Sequence, residues 1–134
     1  MQYLLPFGLL VAGAVSSPVE LQKRAGYKCG SKTYSASDYN KCVQAACTNP
    51  ISSGRGGYPH KYNNYEGINF GTLNGLLYEF PMITGGPWSS GSPGADRCIV
   101  EDDTSVNPAQ CRAKGAITHS GASSKNGFVA CQAI

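Results

Sequence analysis

The stretch Ser35-Ala-Ser-Asp-Tyr-Asn-Lys-Cys-Val-Gln-Ala-Ala-Cys-Thr-Asn-Pro50 decides the fold, because it carries the one clear helical pattern that we find beyond residue 24. Ser35 is a candidate N-cap, and Asp38 follows three positions later in the first turn. Asn49-Pro50 ends the pattern. Between them, apolar residues recur at spacings of three or four and form one face, namely Tyr39, Cys42, Val43 and Ala46.

The chain beyond this helix predicts short strands joined by turns. Residues 51–57 are rich in serine, glycine and arginine and predict a loop. From Tyr58 onward the pattern is typical of β-structure, with Ile68 and Phe70 alternating with polar or small residues. The further predicted strands are Leu76 to Phe80, closed by Pro81, then Arg97 to Val100, Gly115 to Thr118 and Phe128-Val129. We therefore expect an α+β domain in which a single helix packs across a small antiparallel β-sheet.

The first 24 residues predict export. Gln2 to Val15 is largely apolar, is too short to span a bilayer, and contains a small-residue cleavage site at Ala12-Gly-Ala14. Lys23-Arg24 is a dibasic pair of the kind that secretory-pathway proteases trim. We interpret residues 1–24 as a signal peptide with a short pro-segment, and residues 25–134 as one mature domain that is secreted, monomeric and free of a membrane anchor.

The cysteines and the charge narrow the class of protein. All six cysteines lie in the mature part, and an even number in an exported chain predicts three disulfides. The C-x-x-C spacing typical of zinc ligands does not occur, so no metal is expected. The full chain has a net charge of +3. A nucleic-acid partner would therefore have to be held at a local site, because no broad basic surface is available.

The segment Tyr58-Pro-His-Lys-Tyr-Asn-Asn-Tyr-Glu-Gly67 has the composition of a binding loop. Its tyrosines offer stacking faces, its asparagines offer amide donors and acceptors, and Glu66 offers two acceptor oxygens that suit a pair of N–H donors. Guanine presents such a pair on its Watson–Crick edge. A polar surface loop without a ligand would have a similar composition, so the rest of the chain must decide between the two interpretations.

Residues of acid–base chemistry stand on the predicted strands. Glu79 lies between Tyr78 and Phe80 and faces the opposite side of its strand, and Arg97 begins the next strand. His119 follows a strand where a glycine- and serine-rich loop begins. A carboxylate base, a histidine acid and a guanidinium suit cleavage of a phosphodiester without a metal or another cofactor. RNA supplies its own nucleophile, the 2′-hydroxyl.

Four motifs in this order resemble the fungal guanyl-specific ribonucleases of the T-one type, over nearly all of the chain from Cys29 to Cys131. They are Tyr58 to Gly67, Tyr78-Glu-Phe-Pro81, Gly91-Ser-Pro-Gly-Ala-Asp-Arg97 and Ile117-Thr-His-Ser-Gly-Ala-Ser123. The resemblance implies a ribonuclease domain at residues 25–134 and single-stranded RNA as the substrate. Cleavage on the 3′ side of guanosine would pass through a 2′,3′-cyclic phosphate.

The resemblance also implies a role for each matching residue. Glu79 matches the general base, His119 the general acid, and His60 the histidine that assists the base. The residues around the phosphate match Tyr58, Arg97 and Phe128. The rings that sandwich the base match Tyr62 and Tyr65, and the guanine-recognition loop matches Asn63, Asn64 and Glu66. The loop after His119 is one residue longer than usual, and Asn126 is aligned to the asparagine that closes over the base.

The disulfide map follows in part from the resemblance, which implies Cys29–Cys131 and, from some relatives, Cys47–Cys111. Cys42 and Cys98 are left as the third pair. Cys98 is expected to face the helix because it follows Arg97 in its strand. Side chains alternate between the two faces along a strand, and this alternation places Cys111 on the other face of the sheet from Cys98 unless a bulge intervenes. The family's small N-terminal disulfide is missing, since Thr33 stands in place of its second cysteine.

Two alternative functions fit the same scaffold. A ribotoxin-like ribonuclease would carry long basic loops, which this chain lacks. A non-catalytic secreted effector would bind RNA or a host protein and would be expected to lack an acid, a base or a phosphate clamp, whereas all three are present. Cleavage of a guanylyl-cytidine dinucleotide in the presence of a chelator distinguishes the metal-free enzyme from the effector.

Overall fold

The computed structural model describes residues 19–20, 26–52 and 57–134, and of residues 19–20 only the backbone. The predicted signal peptide and pro-segment lie outside the described residues except for Val19 and Glu20, and the predicted loop at 51–57 is described only at its ends. No helix within the described ranges is long and apolar enough to cross a membrane.

The described chain forms one helix and two sheets. The elements are β1 (Val19–Glu20), β2 (Gly26–Cys29), β3 (Lys32–Ser35), α1 (Ala36–Thr48), β4 (His60–Lys61), β5 (Leu76–Pro81), β6 (Asp96–Asp103), β7 (Gln110–Thr118), β8 (Val129–Ala130) and β9 (Gln132–Ala133). The smaller sheet has the order β9-β2-β3, and the larger has the order β1-β7-β6-β5-β4 with β8 also paired to β7. All pairings are antiparallel except that of β1 with β7. The predicted fold class is confirmed.

Helix α1 begins and ends where its sequence predicts. The Ser35 side chain accepts a hydrogen bond from the Asp38 amide, and the Asp38 carboxylate accepts one from the Ser35 amide, which together form a capping box. At the other end, the amide of the C-cap residue Asn49 donates to the carbonyl of Ala45 at 3.0 Å. The predicted apolar face is buried against the larger sheet, where it meets Phe80, Cys98 and Val100.

Three disulfides tie these layers together, and their pairs are those expected above: Cys29–Cys131, Cys42–Cys98 and Cys47–Cys111. Two of them join α1 to strands β6 and β7, and the third joins β2 to the C-terminal segment. They close loops of 102, 56 and 64 residues. In the chain-entropy model each stabilises the fold by about 4 to 5 kcal/mol, which supplements the small core of a domain of this size.

The alternation argument for Cys111 is wrong, because the β6–β7 hairpin contains a bulge. Ile99 pairs with Gly115 but Val100 pairs with Ala113, so one residue of β7 has no partner in the register. The side chains of Cys98 and Cys111 therefore lie on the same face, toward α1, where each forms its disulfide with the helix.

Two strand predictions also differ from the structure. The β6–β7 hairpin is longer than predicted, and its acidic residues Glu101 and Asp103 are buried. The burial is offset by Arg112, whose Nη1 lies 2.6 Å from Asp103 Oδ2, by Lys114 Nζ at 3.5 Å from Glu101 Oε1, and by the Gly75 amide at 2.8 Å from Glu101 Oε2.

No strand forms around Ile68 and Phe70 in the described chain. Asn64 has a positive φ of 55°, and its side chain bonds both the amide and the carbonyl of Ile68 at 2.8 Å. These bonds satisfy backbone groups that a neighbouring strand would otherwise pair. Ile68 and Phe70 pack instead against a second small core formed by Tyr62, Leu77, Ile99, Ile117 and Phe128.

Candidate active site

Glu79 occupies the centre of the site. Alternation along β5 turns Tyr78 and Phe80 toward α1 and Glu79 to the opposite face, as predicted. The Glu79 residue is only 6% exposed. Its Oε1 accepts a hydrogen bond from Arg97 Nε at 3.1 Å, and its Oε2 lies 3.2 Å from His60 Nε2. Both carboxylate oxygens are therefore held in fixed positions by groups that can carry positive charge.

Strand β4 brings His60 to this carboxylate, since His60 is the direct register partner of Glu79. Nδ1 of His60 lies 2.6 Å from the carbonyl oxygen of Gly57. A carbonyl only accepts, so Nδ1 carries a hydrogen and Nε2 is the atom that faces Glu79. His60 therefore presents Nε2 to the carboxylate at a distance of 3.2 Å.

Arg97 is buried and hydrogen-bonded through all three nitrogens of its guanidinium. It is only 3% exposed, and its Nη1 donates to the carbonyls of Pro93, Gly94 and Asp96 at 3.3, 2.9 and 3.0 Å. Its Nη2 donates to Tyr58 Oη at 3.2 Å. No other partner of Nη2 is found in the described chain, so one of its two hydrogens can donate to a bound phosphate.

Aromatic rings flank the guanidinium. The Tyr58 ring centroid lies 5.2 Å from the Arg97 Cζ atom, and the Phe128 centroid lies 5.9 Å from it. Tyr58 also stacks on the His60 ring at a centroid distance of 4.5 Å. These rings place surface of low polarity beside the ion pair, which strengthens its electrostatic interactions.

His119 follows the end of β7 and is anchored on the opposite side of the site from His60. Its amide donates to the Ala95 carbonyl at 2.9 Å, and its Nδ1 lies 2.7 Å from the Gly127 carbonyl oxygen. The Phe128 ring stacks on the imidazole at 3.9 Å. As for His60, the carbonyl fixes the hydrogen on Nδ1 and leaves Nε2 to give or take a proton.

Residues 62–66, which we call the recognition segment because they match the predicted guanine-recognition loop, fold back around Glu66. The Tyr62 hydroxyl donates to Glu66 Oε1 at 2.6 Å, and the Phe128 amide donates to Oε2 at 3.0 Å. Burial alone would raise the pKa of Glu66, but hydrogen bonds from the Tyr62 hydroxyl, from its own backbone amide and from the Phe128 amide help to hold the pKa below its usual value. Burial and the bond to Glu66 raise the pKa of Tyr62. Glu66 is therefore a charged acceptor, and Tyr62 a neutral donor, at neutral pH.

One peptide group connects the recognition segment to the histidine. The carbonyl of Gly127 binds His119, and the amide of Phe128, which belongs to the same peptide unit, binds Glu66. Nothing in the sequence pattern predicts this link, because both contacts use backbone atoms. The same is true of the Gly57 carbonyl at His60 and of the three carbonyls at Arg97.

A cavity of about 160 Å³ opens between the recognition segment and the Glu79 carboxylate. Glu79, Asn126 and Phe128 line it together with residues 61–66, so the structure brings together the residues expected to bind a base. The two predicted sandwich rings differ in exposure, because Tyr62 is buried at 6% whereas Tyr65 is 90% exposed. A larger groove of about 580 Å³ shares Glu66 and Phe128 but is lined by none of the residues proposed for proton transfer.

Comparison with known proteins identifies the family. Residues 22–132 match the family model described as ribonuclease. The chain belongs to this ribonuclease family, which confirms the resemblance seen in its motifs.

The similar proteins are fungal ribonucleases. The extracellular guanyl-specific ribonuclease Fl1 of Gibberella baccata is 49% identical over 106 residues, which cover 77% of this chain and 92% of that protein. The guanyl-specific ribonuclease T1 of Aspergillus oryzae is 38% identical over 127 residues, covering 92% and 91%. The solved structure of ribonuclease He1 from Hericium erinaceus aligns with a TM-score of 0.55 at 29% identity, covering 80% of this chain and 98% of that chain.

Proposed function

We propose that this protein is a secreted endoribonuclease that cleaves single-stranded RNA on the 3′ side of guanosine. The observation that carries the proposal is Glu79, a buried carboxylate held between His60 and Arg97 at the edge of a base-sized cavity. A buried, hydrogen-bonded carboxylate beside an imidazole suits removal of a proton from a substrate hydroxyl. The relatives with guanyl-specific ribonuclease in their names support the same activity.

In this proposal the first step is a transesterification. Glu79, assisted by His60, takes the proton of the guanosine 2′-hydroxyl, and the 2′-oxygen attacks the adjacent phosphorus. His119 donates its Nε2 proton to the departing 5′-oxygen, so the phosphorus–oxygen bond breaks as the new bond forms. The product is a 2′,3′-cyclic phosphate. In the second step His119 takes a proton from water, and Glu79 returns one to the 2′-oxygen, which leaves a 3′-phosphate.

Charge that develops on the phosphoryl oxygens is stabilised by groups already in position. The remaining Nη2 hydrogen of Arg97 and the Tyr58 hydroxyl are the donors for these oxygens, and the ring of Phe128 borders them. Arg97 needs no rearrangement to do this, because carbonyls and Glu79 fix the other side of its guanidinium. Such prepositioned donors account for much of the catalysis in sites of this kind.

Selection of guanine rests on Glu66. Its charged carboxylate accepts from the two N–H groups on the Watson–Crick edge of guanine, whereas adenine has no such pair. Asn63, Asn64 and Asn126 provide further polar contacts around the cavity, and the exposed ring of Tyr65 is available to cover the base.

We also propose that the protein is secreted and is a monomer. The apolar segment Gln2 to Val15 and the three disulfides suit an exported protein. The word extracellular in the name of the relative from Gibberella baccata supports it.

Cleavage of dinucleotides tests the proposed function. The purified mature chain should convert guanylyl-cytidine to guanosine 2′,3′-cyclic phosphate and then to the 3′-phosphate, with or without a chelator, and should cleave adenylyl-cytidine far more slowly. The variant His119→Ala is the control for contaminating nucleases. Absence of cleavage would favour the non-catalytic effector, and loss of activity with chelator would contradict the metal-free mechanism.

A further inference from the structure

The bulge in the β6–β7 hairpin turns Lys114 toward the face of the sheet that carries the proposed active site. Lys114 is the residue of β7 that the bulge leaves without a register partner, and its Nζ reaches Glu101 Oε1 at 3.5 Å. Glu101 lies on the same face as Glu79, because its register partner Leu77 is two residues before Glu79 in β5. Neither Lys114 nor Glu101 takes part in the proposed proton transfers. Bulges often re-aim a side chain next to an active site, so the groups that this pair binds show what it does.

Residues 67–75 join the recognition segment to β5, and we call them the connecting segment. Its first half is held by packing, because the side chains of Ile68 and Phe70 pack against the second small core. The Phe70 ring meets the Tyr62 ring edge-on at a centroid distance of 6.1 Å, and it also lies against Gly115 of β7. A displacement of the connecting segment is therefore transmitted to the recognition segment through these two rings.

The second half of the connecting segment is held through its backbone. The amides of Asn74 and Gly75 both donate to Glu101 Oε2, and the bond from Gly75 measures 2.8 Å. Lys114 Nζ donates to the carbonyl of Thr72 at 3.2 Å. The side chains of residues 71–74 are exposed, so burial contributes little to their position. We call Glu101 and Lys114 the anchor, because their side chains bind three backbone groups of this segment.

The carboxylate of the anchor is both buried and charged. Glu101 is 0% exposed, and its Oε1 lies 3.5 Å from Lys114 Nζ and 3.5 Å from Arg112 Nη1. Burial alone would raise the pKa of Glu101, but the amides of Asn74 and Gly75 and the charge of Lys114 help to hold the pKa below its usual value. Hydrogen bonds to a charged acceptor are stronger than those between neutral groups, so they fix the connecting segment firmly.

We propose that Glu101 and Lys114 are positioning residues for guanine recognition, which anchor the connecting segment and thereby hold the recognition segment in the conformation that binds the base. This inference rests on the proposed function, because it assumes that residues 62–66 bind guanine. A segment that is already ordered loses less conformational entropy when its ligand binds. The anchor therefore increases the affinity for guanosine and leaves the proton transfers at Glu79 and His119 unchanged.

Steady-state kinetics of Lys114→Met and Glu101→Gln test the anchor. Lys114→Met keeps the aliphatic stem but removes the bond to Thr72, and Glu101→Gln removes the charge that binds the two amides. Each variant should raise KM for guanylyl-cytidine by about 2- to 30-fold, the range found for residues that act on a site through packed neighbours, with little change in kcat. The ratio of kcat/KM for guanylyl- over adenylyl-cytidine should fall, since adenine does not form the bonds to Glu66. Lys114→Arg can donate to the same carbonyl and should retain the wild-type values.

The matched control is Asp103→Asn, because Asp103 is a buried carboxylate that also binds Arg112 but otherwise accepts from Ser105 and not from the connecting segment. It should lower the stability of the protein and leave KM and the base preference unchanged. A loss of folded protein lowers the rates on both dinucleotides equally and does not change their ratio. A wild-type ratio in both anchor variants, or an equal fall of the ratio in the control, would overturn the proposal. If Glu101→Gln does not fold, the comparison of Lys114→Met with Lys114→Arg decides.

Amide hydrogen exchange tests the anchor without catalysis. In both anchor variants exchange should become faster at residues 74–75 and also at Gly67 and Ile68, whose amides bond to Asn64 beside the base cavity. The control variant should not show this local increase. Faster exchange at residues 74–75 alone would contradict the link to the recognition segment. If exchange changes as expected but the wild-type chain cleaves neither dinucleotide, the proposed function fails and the anchoring of the recognition segment stands.

Discussion

Replacement of Glu66 by alanine should reduce the preference for guanosine more than it reduces cleavage itself. In the structure each carboxylate oxygen already accepts one bond, from the Tyr62 hydroxyl at 2.6 Å and from the Phe128 amide at 3.0 Å. Guanine would add two N–H donors to the same oxygens, which have lone pairs left for them.

The expected loss of guanosine preference follows from the two hydrogen bonds that Glu66→Ala removes. Hydrogen bonds to a charged group contribute about 1.5 to 3 kcal/mol each, and the lower value applies because each oxygen is already bonded. Two such bonds amount to about 3 kcal/mol, which is roughly a 150-fold change in the ratio of kcat/KM for guanylyl-cytidine over adenylyl-cytidine. Cleavage after adenosine should fall much less, because adenine has no donor pair to lose.

The assay compares initial rates on guanylyl-, inosinyl- and adenylyl-cytidine for the wild type, Glu66→Ala and Tyr62→Phe. Inosine lacks the 2-amino group, so the wild type should discriminate against it by about half of the free energy, and Glu66→Ala should not discriminate at all. Tyr62→Phe removes one internal bond of Glu66 but keeps the carboxylate, so guanosine preference should largely remain. Equal losses on all three substrates in Glu66→Ala would show that Glu66 is only a structural tie to Phe128.

His119→Ala should lower kcat/KM by at least ~10²-fold, the usual scale for a general acid, and the wild-type pH profile should be bell-shaped; near-normal activity of the variant would refute the assignment. Peptide mapping of unreduced protein should recover the three pairs described above, and a Cys98–Cys111 fragment would contradict the fold. Hydrogen bonds from Ser105 and Arg112 hold the pKa of Asp103 at about 2, below the ordinary 3.8, so its stabilisation is complete above pH 3.8 and lost as the pH falls through about 2. Urea unfolding should accordingly show Asp103→Asn less stable than wild type at pH 7 and equally stable below pH 2, and a difference independent of pH would contradict this.

Features with a local cause could be predicted from the sequence. The capping residues and the three-to-four spacing fix α1, since both act within one or two turns of the helix. The orientation of Glu79 away from Tyr78 and Phe80 follows from the period of a strand. The motif resemblance then supplied the roles of residues that no pattern of spacing could assign.

Features that depend on a distant partner could not be predicted. The bulge that turns Cys111 toward α1 is a property of the pairing between β6 and β7. Its extra residue changes the face of the sheet on which Cys111 lies, so alternation counted along the sequence gives the wrong face. Glu101 and Asp103 lie beyond the strand predicted at Arg97 to Val100, but they are buried, and Arg112 and Lys114 reach them from the partner strand. The carbonyl groups that orient both histidines leave no trace in the sequence, because every residue has one.

The shared peptide unit of Gly127 and Phe128 has a consequence for how selectivity is expressed. In the proposed mechanism, its amide is held by the carboxylate that would bind the base, and its carbonyl is held by the imidazole that would protonate the leaving group. Peptide groups are planar and rigid, so a displacement at one end is transmitted to the other. In the proposed mechanism, a base bound at Glu66 should therefore affect the position of His119, and a wrong base should leave it misaligned. Discrimination between nucleotides should then appear in turnover as well as in binding, and a poor substrate would be held but slowly cleaved.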